Sequence, residues 1–124
     1  MKSHTDLEQS KKLTEILPLE TADCFWDYDD LQKYHRISWF EEGYNKDSQL
    51  RPNENNICAW SLAALLGYLK RRNRFPEIIE LSDGRFKLST YVWDGEYGIQ
   101  DSIRNTIVDA CFELILKLHK LELL

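Results

Sequence analysis

The chain has 124 residues, is 43% hydrophobic and carries a formal charge of −5. That length and apolar share suit one packed domain, and they exclude a disordered chain or one that needs disulfides to fold. The acidic balance is a poor basis for nucleic-acid binding, which needs cations for phosphate. No apolar run reaches the roughly 18 residues of a transmembrane helix.

The charge is unevenly placed. Residues 1–57 hold 12 acids and 7 bases, whereas residues 58–124 hold nine of each. The polar start, Met1 to Lys12, lacks the apolar stretch of a secretory signal, so a cytoplasmic location is expected. Three widely spaced cysteines, Cys24, Cys58 and Cys111, sit among apolar neighbours and read as buried thiols.

A first helix is expected over about 6–17, capped by Thr5 or Asp6, with Leu13, Ile16 and Leu17 as its apolar stripe. Pro18 stops it by driving Leu17 out of the helical region. Cys24–Tyr28 and Tyr34–Phe40 read as strands, being aromatic and β-branched, with Asp29 and Asp30 in the turn between them. Residues 41–56 are polar and rich in asparagine; a loop this long is expected to be mobile.

A central helix is expected over about 58–71, capped by Asn56, with Trp60, Ala63, Ala64, Leu66 (or Leu65) and Leu69 at helical spacing. Lys70-Arg71-Arg72 at its end complements the helix dipole. Residues 77–100 read as an antiparallel three-stranded meander: Asp83-Gly84 and Asp94-Gly95 mark two turns, and Phe86, Leu88, Thr90 and Val92 alternate with polar residues between them. A last helix is expected over about 106–121, capped by Asn105, with Val108, Cys111 or Phe112, Ile115, Leu118 and Leu121 along one face. The fold class is therefore α+β in one domain spanning 1–124. The meander packs with the central and C-terminal helices, and an N-terminal helix is added to them.

No constellation for chemistry stands out. The chain has no Walker loop, no dinucleotide fingerprint and no nucleophile elbow, and no cofactor is implied. Glu20, Asp23, Asp27, Asp29 and Asp30 are candidate ligands for a hard cation, yet they lack the glycine and distal glutamate of a calcium loop and read as turn acids. His4, His35 and His119 stand at no zinc-ligand spacing from one another or from the cysteines. Cys58 with His35 as base would make a nucleophile, against which stands an ordinary core thiol. Lys70-Arg71-Arg72-Asn73-Arg74, beside Tyr68 and Phe75, is the one basic cluster. It is a candidate for phosphate, nucleic acid or an acidic partner, against which stands a solvated helix end.

Asp27, Tyr28, Tyr34, Trp39, Phe40 and Tyr44 gather in one acidic, aromatic segment. Tyrosine and tryptophan are large, rigid and partly polar, which suits them to binding surfaces as well as to cores. The expected partner is another protein rather than a membrane or nucleic acid. Leu121, Leu123 and Leu124 at the chain's end suggest either a homodimer contact or docking on the chain's own core.

Three stretches, Thr21-Ala22-Asp23 leading into Trp26-Asp27-Tyr28, Ala59-Trp60-Ser61-Leu62-Ala63-Ala64-Leu65-Leu66, and Val108 to His119, resemble a known group. It consists of small uncharacterised proteins encoded in prophages and mobile elements of gut bacteria of the Bacteroides type. The resemblance covers most of residues 15–124. Cys58 stands where the group's second helix usually has a proline. The resemblance implies a mobile-element context and carries over no catalytic residue. Together with the missing chemistry, it favours a non-enzymatic binding or accessory protein.

Overall fold

The computed structural model describes residues 2–29, 31, 33–40, 56–92 and 98–124. Among these residues the chain forms three α-helices and two three-stranded antiparallel sheets, an α+β fold. They gather into two compact units. One is His4–Ser61; the other is Leu62–Leu124 with the residues up to Ser3. No helix among the described residues is long and apolar enough to cross a membrane. The expected loop 41–56 lies outside the described residues except at its last residue, and the Asp94-Gly95 turn lies wholly outside them.

In the first unit, α1 (Leu7–Thr14) opens on a capping box. Asp6 accepts from the Gln9 N–H at 2.8 Å, and the Gln9 side chain accepts from the Asp6 N–H at 3.1 Å. The helix ends three residues before the expected Leu17. The Ile16 and Leu17 N–H groups both turn back to the Leu13 carbonyl, which tightens the last turn ahead of Pro18. A 3-10 turn, Leu19–Thr21, then leads into the sheet.

The sheet has β1 (Cys24–Asp29) in the middle, with β2 (Tyr34–Trp39) on one side and β3 (Asn56–Ala59) on the other. The β1–β2 hairpin matches the expectation from sequence. β3 does not: the sequence pattern makes Asn56 the cap and Cys58 the opening of a helix, whereas both belong to a strand. Cys58 pairs opposite Phe25 and Ala59 opposite Cys24. A short apolar run cannot be assigned to strand or helix by its periodicity, and here pairing to β1 decides it.

Trp60 follows β3 and is wholly buried. Its backbone N–H donates to the Thr5 hydroxyl, its carbonyl accepts from the Thr5 N–H, and its indole N–H donates to the Thr21 hydroxyl at 2.9 Å. The Asp23 carboxylate accepts from both the Ser61 N–H and the Ser61 hydroxyl.

In the second unit, α2 (Leu62–Arg71) buries Leu65, Tyr68 and Leu69. The meander comes next as β4 (Glu77–Glu80), β5 (Phe86–Val92) and β6 (Gly98–Arg104), with β5 in the middle. The first turn sits at the expected Asp83-Gly84. Gly84 has φ +87, a backbone conformation that costs glycine little, and the Leu81 N–H closes the turn on the Arg85 carbonyl. β6 runs four residues beyond the expected end at Gln100.

Leu88, Thr90 and Val92 are buried on one face of β5, and this is the face that packs on α3 (Ile107–Lys120). Thr106 rather than Asn105 caps α3, accepting from the Asp109 N–H at 3.1 Å. Seven buried residues of α3 close the core against β5, β6 and α2. Burial of that size contributes on the order of 10 kcal/mol before conformational entropy is counted. Lys2 pairs with Asp109 in the first turn of α3 at 2.6 Å.

Two changes test this packing. The Thr90 hydroxyl is buried with no hydrogen-bond partner among the described residues. Thr90→Val should therefore raise the unfolding free energy in urea by about 1 kcal/mol, and a loss of stability would show that the hydroxyl is satisfied. Asp23→Ala strands the Ser61 N–H and should lower stability by about 2 kcal/mol in the same measurement.

Candidate functional site

The register of the first sheet sorts the aromatic, acidic segment by face. Directly opposed residues in an antiparallel pair share a face, and neighbours along a strand alternate. Cys24, Trp26 and Tyr28 thus share one face with Trp39, Ile37 and His35 of β2. Phe25 and Asp27 share the other with Ser38 and Arg36, and Tyr34 and Phe40 fall on that face by alternation.

On the first face, the Trp26 indole donates to the Thr5 carbonyl at 3.2 Å and its ring meets His4 edge-on at 5.5 Å. Tyr28 stacks obliquely on His35 at 5.1 Å. On the second face, Phe25 and Phe40 lie 5.0 Å apart, and Asp27 pairs with Arg36 at 3.8 Å. The six candidate surface residues therefore do not form one patch. Tyr28 and Trp39 belong to one face, Asp27, Tyr34 and Phe40 to the other, and Tyr44 lies outside the described residues.

Exposure separates them further. Trp39 is 54% and Tyr34 47% exposed, while Asp27, Tyr28 and Phe40 are half-buried. Both exposed rings stand on β2, which among the described residues is paired on one side only.

The same register separates Cys58 from His35. Cys58 faces Phe25 on one side of the sheet and His35 faces Tyr28 on the other, with β1 between their strands. The thiol and the imidazole are not brought together. The acids do not converge either: Asp23 is engaged by Ser61, Asp27 by Arg36, and Glu20 is exposed, while Asp30 lies outside the described residues. Among the described residues, no three histidine, cysteine or acidic side chains come close enough to hold a metal ion.

Burial pushes the Cys111 thiol up to about 12. Burial, and then the charge of Asp23 and a hydrogen bond to it, raise Cys24 well above the thiol range. These are core thiols, kept protonated and therefore poor nucleophiles.

The basic cluster lies in the second unit, at the end of α2. Asn73, with φ +58, turns the chain out of the helix, and the Arg74 N–H closes on the Leu69 carbonyl at 2.8 Å. α3 ends in the same way: Glu122 has φ +58, and the Leu123 N–H closes on the Leu118 carbonyl. The two ends meet where the Arg74 Nε donates to the Leu123 carbonyl at 3.1 Å. Between them is an open groove of about 580 Å³, lined by Arg71–Arg74 and Leu121–Leu124. Leu123 is buried in its own unit, and Leu121 and Leu124 are half-buried. The sequence shows the cluster plainly, but only the tertiary contact joins it to the last four residues.

The thiol assignment has a pH signature. A thiol with a raised folded pKa adds stability that is fully present below its unfolded value of 9.0 and is lost as pH rises toward about 12. The urea midpoint should fall across that window, and less steeply in Cys111→Ala; equal slopes would contradict the assignment. A thiol-selective disulfide reagent at mildly alkaline pH should label Cys24 and Cys111 only after denaturant is added.

The chain matches no model of a known protein family, no curated protein and no solved structure.

Proposed function

We propose that the chain is a non-enzymatic protein-binding module, an accessory protein of a phage or mobile element that acts in the cytoplasm. One observation carries the binding reading: Trp39 and Tyr34, the exposed rings of the first sheet, both stand on β2, which among the described residues is paired on one side only, and they point to opposite faces. A partner lying flat on one face would meet one of them. A partner strand added along the β2 edge would meet both, because its own side chains alternate between the faces. The backbone of β2 would supply the affinity and the two rings the selectivity. The mobile-element context rests on the resemblance of the Trp26, Trp60 and Val108–His119 segments.

Cross-linking followed by mass spectrometry, with the wild type, Trp39→Ala and Tyr34→Ala as parallel baits, tests this reading. Each side chain still buries about half of its surface, so each variant should lose about 1–3 kcal/mol of stability yet keep the fold, which circular dichroism checks. The expected result is one protein cross-linked through residues 34–39 that is lost with either variant. Identical captures by all three baits would overturn the proposal.

A further inference from the structure

The groove at the joined ends of α2 and α3 is separate from the β2 edge and does not depend on that reading. Helix C-termini carry partial negative charge, so cations placed there have a structural task. Arg74 performs it, donating to the Leu123 carbonyl. Arg71 and Arg72 do not: both are exposed, and neither side chain has a hydrogen-bond or ion-pair partner among the described residues. Four acids of this unit are committed elsewhere, Asp83 to Arg85, Asp101 to Lys87, Glu113 to Arg104 and Asp109 to Lys2, while Glu77 and Glu80 stand exposed on β4 and do not line the groove. Of the side chains lining the groove, only Glu122 is acidic.

The lining thus combines arginines, which suit carboxylates and phosphates, with the half-buried Leu121 and Leu124, which offer apolar surface. A polyphosphate chain could use the arginines but not the leucines, whereas an acidic peptide can use both. We infer that the groove receives an acidic peptide segment of a protein partner, its carboxylates on Arg71 and Arg72 and an aliphatic side chain against the leucines.

Fluorescence anisotropy at low salt tests this with three labelled probes: a peptide alternating aspartate or glutamate with leucine, its lysine–leucine counterpart, and an oligothymidylate of similar length. The acidic peptide should bind, weaken as salt is added, and lose on the order of tenfold in affinity to the double variant Arg71→Glu/Arg72→Glu. That variant should in turn gain affinity for the lysine–leucine peptide, which mere unfolding would not produce, and its circular dichroism should match the wild type. Light scattering of both proteins completes the test. The inference is overturned if no probe binds, if the oligothymidylate binds more tightly than the acidic peptide, or if the double variant binds the acidic peptide unchanged. It is equally overturned if wild-type self-association, abolished in the double variant, shows a second copy to be the occupant.

Discussion

The first unit depends on how Trp60 is held. The largest of the fully buried side chains, it sits where the chain leaves β3, and each of its polar groups has a partner. Thr5 takes both its backbone groups and Thr21 its indole N–H. A buried tryptophan is favourable only when that N–H is satisfied, so the two threonines let a bulky residue sit at a point of backbone crossing. The arrangement also sets where the next helix begins. With Trp60 locked to Thr5 and Ser61 to Asp23, the backbone cannot continue as helix from Cys58, and α2 starts only at Leu62.

This explains which parts of the fold were legible in the sequence. The meander and α3 were, because their signals are local: alternation in Phe86–Val92, an Asp-Gly turn, and a stripe of apolar residues long enough to fix the helical period. The β1–β2 hairpin was legible for the same reason. β3 was not. Ile57-Cys58-Ala59 is short and apolar, it runs straight into helical residues, and only its pairing with β1, more than 30 positions earlier, makes it a strand.

The candidate surface was legible as composition and illegible as geometry. Asp27, Tyr28, Tyr34, Trp39 and Phe40 are close in sequence, yet a period of two residues sends neighbours to opposite faces. Chain proximity in a hairpin therefore overstates how much of an aromatic cluster one partner can touch. What survives the sorting is smaller and more specific: two exposed rings on one strand edge. The Cys58–His35 pairing fails by the same rule, since even a modest separation across the sheet becomes an obstacle when the side chains point apart.

Helix termination shapes the groove of the second unit. α2 and α3 each end with a non-glycine residue in the left-handed region, Asn73 and Glu122. Glycine would take this conformation with less strain; asparagine tolerates it, and glutamate does so less readily. A glycine at either place would keep the turn and lose a polar side chain from the groove wall, since both residues line it. Arg74, immediately after the first of these turns, joins the two ends through the Leu123 carbonyl. The turn geometry that stops each helix is thus also what carries Arg71 to Arg74 and Leu121 to Leu124 onto the two sides of one concave surface. Sequence reading finds the basic cluster and the terminal leucines separately. The paired helix ends give them a common place.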